Sequence, residues 1–234
     1  MPAVPGRRES GGRYGLLLLV LIGTYLFSAF SGAHLTTEIQ IGLFALVLLL
    51  AMRSSPLPGR WPLVIIALTV TGSAAALAAT LTGTPAGEGA AELWKALILL
   101  LTTVVVVRRV LAKPTVTIQS IYGALSAYLI IGLMFAACYA AIQRLDTQDF
   151  FASNEPANTK TLQYFSFTTL TTLGYGDFTA ARSGGRSLAV MEAVTGQVFL
   201  ATLVARLVSA YQRPTLRPRP EDDDGPEGDD EDRS

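Results

Sequence analysis

The sequence predicts an all-α membrane protein with six transmembrane helices. Half of the 234 residues are hydrophobic and the mean hydropathy is +0.43, a composition typical of chains that place long apolar helices in lipid. Six apolar runs approach the roughly 20 residues that a helix needs to cross a bilayer. Lysine and arginine cluster at alternate ends of these runs, which indicates a defined orientation in the membrane.

The apolar runs place the spans in chain order. The predicted spans are Tyr14–Phe30, Leu35–Met52, Trp61–Leu81, Glu92–Val107, Ser120–Ile142 and Ser187–Tyr211. Pro114 follows the fourth span, where it must end the helix because proline removes a backbone donor. The polar stretch Gln143–Leu162 is predicted to connect the fifth span to a short amphipathic run that begins at residue 164.

The basic residues give the topology. They precede the first span, flank the second connection and follow the fourth and sixth spans, whereas loops 31–38 and 82–91 carry none. These residues are Arg7, Arg8, Arg13, Arg53, Arg60, Arg108, Arg109, Lys113, Arg213, Arg217 and Arg219. Because positive charge favours the cytoplasmic side, we expect a multi-pass protein of the cell membrane with both termini in the cytoplasm.

Several function classes are excluded by what the sequence lacks. It contains one cysteine and one histidine, so no intrachain disulfide and no cysteine- or histidine-rich metal site can form. No pattern of nucleophile, acid and base stands out. We therefore expect no enzymatic activity, no cofactor and no nucleic-acid partner.

The most specific stretch of the chain is Thr171-Thr172-Leu173-Gly174-Tyr175-Gly176-Asp177, which comes directly after the amphipathic run 164–170. It resembles the pore loop of potassium channels, in which a pore helix leads into a T-x-G-Y-G-D selectivity filter. The resemblance to the two-helix-plus-pore-loop module extends over 120–213. From residue 14 onward the chain is similar to six-span, single-pore-loop bacterial channels of the voltage-gated-like, tetrameric cation channel superfamily.

This resemblance implies a homotetramer in the lipid bilayer that conducts potassium ions passively and selectively through a re-entrant pore loop. The implied domains are a disordered cytoplasmic N-terminus (1–13), a peripheral four-helix domain (14–113), a pore domain (114–212) and a disordered acidic cytoplasmic tail (213–234). Residues 221–232 hold nine of the 18 acidic residues, and such a segment cannot form a packed core.

In such a filter, rings of backbone carbonyls replace the hydration shell of the ion. The resemblance assigns ion binding to Thr172, Leu173, Gly174, Tyr175 and Gly176, with potassium held by the carbonyls of the first four. The two glycines permit the backbone angles that most L-residues avoid. The side chains of Leu173 and Tyr175 are expected to turn outward and pack against the pore helix.

Four residues are predicted to support the filter: Thr168, Thr171, Asp177 and Glu192. Thr168 stands where some relatives carry a glutamate, so the resemblance supports no carboxylate partner for Asp177 at that position. Asp177 would concentrate cations and brace the filter, or simply cap the loop. Glu192 lies inside the last span, where ionisable groups usually face protein. It either supports the filter or serves as a neutral, hydrogen-bonded structural acid.

The last span carries a possible hinge and a possible pore lining. Gly196 lies 22 residues after Gly174, at the position of the gating-hinge glycine in related inner helices. The alternative is close packing against a neighbouring helix, which small residues favour in membranes. Leu200, Val204 and Val208 share one helical face. This face lines a hydrophobic inner pore or packs against lipid and protein.

The fourth span does not resemble a voltage sensor. Such sensors carry several arginines through the membrane, whereas this span contains only Lys95, near its outer end, before Arg108 and Arg109 at the cytoplasmic end. We therefore expect weak or absent voltage dependence.

Three alternatives remain open. One is a weakly selective cation channel on the same scaffold, although Leu173, which replaces the usual valine, does not by itself favour it. The second is an active potassium transporter, although those resemble four fused repeats and this chain has one pore loop. The third is a non-conducting membrane sensor or scaffold with a vestigial pore, and measurement of flux separates it from a channel.

Overall fold

The computed structural model describes residues 13–30, 36–53, 61–112, 116–153 and 155–211. These residues form seven helices and no strand. The helices are α1 (Arg13–Phe30), α2 (Thr36–Arg53), α3 (Trp61–Leu81), α4 (Pro85–Ala112), α5 (Ile118–Leu145), α6 (Thr159–Leu170) and α7 (Ser183–Tyr211). The prediction of an all-α fold is confirmed. The segments predicted as disordered, 1–13 and 213–234, lie outside the described residues except for Arg13.

Three described helices, α4, α5 and α7, are long and apolar enough to cross a membrane. They contain 28, 28 and 29 residues, or about 42 Å each at a rise of 1.5 Å per residue, which exceeds the hydrocarbon thickness of a bilayer. The first three helices hold shorter apolar stretches, namely Tyr14–Ser28, Ile39–Leu49 and Ile65–Leu81. The protein is therefore a membrane protein.

The predicted start of the fourth span, Glu92, is wrong by about two turns, because α4 begins at Pro85. Proline is favoured at the first helical position, where its missing N–H has no intrahelical partner to lose. The Gly87 amide donates to Thr84 Oγ1 at 3.2 Å, which caps the helix. Most of the predicted outer loop 82–91 is thus helical.

The short helix α6 also begins earlier than its amphipathic run, at Thr159 instead of Tyr164. Asn158 caps it, because its side chain accepts hydrogen bonds from Lys160 N and Thr161 N at 2.9 and 3.2 Å. The Thr161 side chain in turn accepts from Asn158 N at 3.0 Å, which completes a capping box. More than one extra turn therefore precedes the aromatic part of the helix.

The helices on either side are also longer than predicted. α5 is capped by Thr117, whose side chain forms a capping box with Ser120, so it spans Ile118–Leu145 and not Ser120–Ile142. α7 begins at Ser183, four residues before the predicted Ser187. The polar connector therefore shortens to residues 146–158.

α4 lies antiparallel along α5. Gly89, near the start of α4, approaches Leu145 at the end of α5, and Gly123, near the start of α5, approaches Val110 at the end of α4. A Cβ on either glycine would stand 2.7 Å from its neighbour's side chain, so both glycines permit close packing. Residues 113–117 alone join the two helices.

The two larger of the three buried clusters among the described residues both include side chains of α5. The first joins α1, α2, α4 and α5: Tyr14, Leu17, Leu21, Phe44, Val47, Leu48, Met52, Ile98, Leu99, Val106, Val110, Ala127, Ile130 and Leu133. The second surrounds α6: Ile131, Phe135, Tyr139, Phe150, Phe151, Leu162, Phe165, Leu170 and Ala180. The peripheral helices and α6 are therefore held by different faces of one helix.

α7 is the least covered of the long helices. Only 11% of its most apolar window is buried, compared with 61% for α5. Large apolar side chains point outward along its length, among them Val190, Met191, Val198 and Val204. A continuous apolar surface of this kind needs lipid or another protein surface against it.

Candidate functional site

The loop between α6 and α7 has an alternating backbone. Thr172, Gly174 and Gly176 have φ angles of 57°, 51° and 83°, while Leu173 and Tyr175 between them have negative φ. Alternation of left- and right-handed residues turns successive peptide groups so that their N–H groups point to one side and their carbonyls to the other. This stretch of backbone can therefore present several carbonyl oxygens in a row.

Thr172 is the unexpected member of this pattern, because a β-branched residue at positive φ is strained by about 1–3 kcal/mol. Its amide donates to Thr169 O at 2.9 Å and its hydroxyl to Thr171 O at 2.7 Å. The Gln197 side chain on α7 donates to Thr172 Oγ1 at 3.2 Å. Gln197 was not predicted as a site residue, although an amide side chain in the middle of an apolar span is a signal of such a role.

The carboxyl end of α6 holds the loop through backbone groups. The amides of Leu173 and Gly174 both donate to Thr168 O, at 2.9 and 3.1 Å. Thr168 thus contacts the loop with its carbonyl, while its hydroxyl bonds within α6. Thr171 is the C-cap residue, and its amide and hydroxyl both donate to Phe167 O.

Asp177 ends the loop and is fixed by two donors. Tyr164 OH donates to Asp177 Oδ2 at 2.8 Å, and Phe178 N donates to Oδ1 at 3.0 Å. The hydrogen bond to Asp177 raises the pKa of Tyr164 above its ordinary value. Asp177 is therefore braced against α6 by a phenol, which sequence analysis did not foresee.

The end of α6 is also attached to both long helices beside it. Tyr128 of α5 donates to Leu170 O at 3.2 Å. Gly196 of α7 approaches the same carbonyl so closely that a Cβ would stand 2.2 Å from Leu170 O. Gly196 thus has the close-packing role that the sequence left as an alternative to a hinge. The hinge itself stays a prediction.

Glu192 of α7 is fully buried between α5 and α6. Tyr139 OH, on α5, donates to Glu192 Oε2 at 2.6 Å, and Ser166 Oγ, on α6, lies 2.5 Å from Glu192 Oε1. Ser166 Oγ also lies 2.7 Å from Gly132 O on α5. One carboxyl group therefore connects three helices immediately behind the loop.

The number of available hydrogens fits a protonated Glu192. The Ser166 hydroxyl carries one hydrogen, so it can donate to Gly132 O or to Glu192, but not fully to both. A carbonyl can only accept. All the short contacts are satisfied together when Glu192 carries a proton and donates it to Ser166, which then donates to Gly132 O. This arrangement corresponds to the second role predicted for Glu192, a neutral, hydrogen-bonded structural acid.

The side chains of the loop are exposed in the single chain. Leu173 and Tyr175 are 54% and 68% exposed, because no described helix of the same chain covers that side of the loop. The expected packing of these two side chains against a pore helix stays a prediction. Leu200, Val204 and Val208 are likewise exposed along α7. Within the described ranges, no cluster of histidine, cysteine, aspartate or glutamate could hold a metal ion.

Residues 123–213 match a family model described as "Ion channel". This segment of the chain is therefore similar to ion channels. It covers most of α5, the connector, α6, the alternating loop and α7, so the channel module coincides with the site described above. No curated protein gives a significant match to the chain.

Proposed function

We propose that this protein is an ion channel, a passive, potassium-selective homotetramer in which residues 171–177 of each subunit form one strand of the selectivity filter. The alternating φ at Thr172, Gly174 and Gly176 is the observation that carries the proposal. It supports potassium coordination by the carbonyls of Thr172, Leu173, Gly174 and Tyr175. The ion would exchange hydration oxygens for these carbonyls at comparable free energy.

A single strand cannot surround an ion, so neighbouring copies must complete the ring. The exposed loop and the uncovered surface of α7 support this assembly. In a tetramer the exposed side chains of Leu173 and Tyr175 would contact the adjacent subunit. Leu200, Val204 and Val208 would then line a hydrophobic inner pore that can close by dewetting, with Gly196 as the hinge.

We further propose six spans per subunit, with both termini in the cytoplasm and α6 re-entering from outside. The distribution of arginine and lysine supports this orientation. Under this topology Asp177 lies at the outer mouth, where its charge attracts cations. Lys95 lies in the outer part of α4, and its buried ion pair with Glu92, at 2.6 Å, neutralises it. This pairing supports a channel with little voltage dependence.

A weakly selective cation channel is the second candidate. One observation favours it: Asp177 is braced from α6 by the neutral Tyr164 rather than by an acid. A filter whose Asp177 lacks an acidic partner on the pore helix holds its ring of carbonyl groups less rigidly. Selectivity depends on the geometry of that ring.

The deciding experiment is reconstitution of the purified channel into liposomes, followed by a bi-ionic reversal potential with potassium on one side and sodium on the other. We expect a strong preference for potassium. Equal permeability would favour the weakly selective channel. Absence of flux with correctly assembled tetramers would favour a sensor or scaffold with a vestigial pore.

A further inference from the structure

Four polar side chains from three peripheral helices form a buried network. Lys95 Nζ contacts Glu92 Oε2 at 2.6 Å, and both side chains are more than nine-tenths buried. Lys95 also donates to Gln40 Oε1 at 3.4 Å, and Gln40 Nε2 donates to Ser28 Oγ at 3.0 Å. Charges are costly inside a membrane unless they are paired, so this network keeps α1, α2 and α4 in a fixed arrangement.

Gln163 reaches the same region from α6. The residue is only 5% exposed, and its Oε1 has no hydrogen-bond partner among the residues that the structure describes. A buried acceptor without a donor costs about 1–3 kcal/mol. A hydrocarbon side chain at this position would carry no such cost. We therefore expect a hydrogen-bond donor next to Gln163 Oε1.

A small cavity lies between Gln163 and the network. It has a volume of about 20 Å³ and is lined by Gln40, Glu92, Lys95 and Gln163, with Thr159 at the start of α6 and apolar side chains from α2, α5 and α6. One water molecule needs about 10–15 Å³ of such volume, together with two to four polar partners. The cavity meets both conditions for one water and is too small for a lipid or an organic ligand.

We propose that this cavity binds one ordered water molecule, which donates a hydrogen bond to Gln163 Oε1 and joins α6 to the buried network of α4 and α2. The water then gives the peripheral helices a polar attachment to the helix that carries the loop. Gln163 is a positioning residue, because it acts on the loop only through α6. The water site is independent of the proposed function, whereas its effect on selectivity rests on that function.

The first test is a high-resolution density map of the full-length channel in lipid nanodiscs. Density for a single water within hydrogen-bonding distance of Gln163 Oε1 supports the proposal. A dry cavity, or a side chain that fills it, overturns the proposal. This result does not depend on conduction, so it stands even if the channel proves non-selective or silent.

The second test is a double-mutant cycle. Gln163→Met removes the acceptor at similar length, and the paired substitution Glu92→Leu/Lys95→Leu removes both charges together, so that neither is left unpaired. Lys160→Met, exposed on the same helix, is the control. Thermal midpoint and the potassium-to-sodium permeability ratio are measured for every variant.

We expect Gln163→Met to lower the midpoint and the permeability ratio in the wild-type background, and to change neither once the charged pair is gone. Lys160→Met should change neither in any background. Equal effects of Gln163→Met in both backgrounds would show that no water links the two sites. If the wild-type protein is not selective, the thermal midpoints alone still show whether Gln163 and the charged pair are coupled.

Discussion

Gly196 of α7 lies directly against the Leu170 carbonyl at the carboxyl end of α6, the helix that leads into the loop. A methyl group there would stand 2.2 Å from Leu170 O, which no side-chain rotation can relieve. We expect Gly196→Ala to push α7 away from α6 and to lower the free energy of unfolding by about 1–3 kcal/mol, the usual cost of overpacking.

Gly184→Ala is the matched control for this prediction. It lies at the start of the same helix, and a Cβ there meets nothing within 4 Å. The thermal unfolding midpoint of the purified protein is measured for both variants. If Gly196→Ala alters opening but leaves the unfolding midpoint at the wild-type value, the glycine serves as a hinge and not as a packing contact.

Glu192→Gln should be tolerated, because an amide can donate to Ser166 and accept from Tyr139 as the protonated acid does. Glu192→Ala should lower stability by about 3 kcal/mol, since it creates a cavity and leaves the buried Tyr139 hydroxyl without its acceptor. Unfolding midpoints of the two variants provide the comparison. Equal loss in both would indicate that the native side chain is ionised.

Gly174→Ala should abolish or scramble selective conduction while the fold remains intact. No atom lies within 4 Å of the added Cβ, so the cost comes from the left-handed backbone, about 1–2 kcal/mol per subunit. The measurement is the bi-ionic reversal potential of reconstituted protein. Unchanged selectivity would place Gly174 outside any filter.

Tyr164→Phe should loosen Asp177 while it keeps the ring beside Phe178. The raised pKa of Tyr164 means that this hydrogen bond contributes fully below the ordinary tyrosine pKa of 10.0 and is lost as the pH rises through the higher folded-state value. We expect the wild type, but not the variant, to lose selectivity under strongly alkaline conditions. Reversal potentials recorded on both proteins across that range measure the difference.

Conductance should depend only weakly on voltage. One charge that crosses the whole membrane contributes about 2.3 kcal/mol per 100 mV, and steep gating uses about three or four charges per subunit. Lys95 is paired with Glu92, so their joint movement carries almost no charge. Conductance recorded against voltage in symmetrical potassium is the measurement, and a curve as steep as three charges per subunit would contradict the pairing.

The sequence predicted the all-α membrane fold well because hydrophobic runs and turn residues act locally. The missed helix starts were local too: Asn158 with Thr161, and Thr84 before Pro85, are cap signals that hydropathy alone overlooks. The Lys95–Glu92 pair could also have been recognised, since residues three apart on a helix are neighbours.

Other features of the site could not be predicted from the sequence. Ser166 and Glu192 lie 26 residues apart on different helices, and nothing local indicates that they meet. The positive φ of Thr172 is equally hidden, because a β-branched residue favours the opposite backbone region. A turn hydrogen bond to Thr169 O and a tertiary hydrogen bond from Gln197 hold it.

In the proposed tetramer, the antiparallel pairing of α4 with α5 would determine how subunits influence one another. Because each chain packs α4 and α1 against its own α5, the tetramer would carry four peripheral bundles, each attached to its own quarter of the central pathway. A defect in one bundle would then alter one subunit and leave the other three unchanged. Co-expression of normal and altered chains would give a graded loss that tracks the mixing ratio, and not the dominant failure expected from a defect in a shared ring.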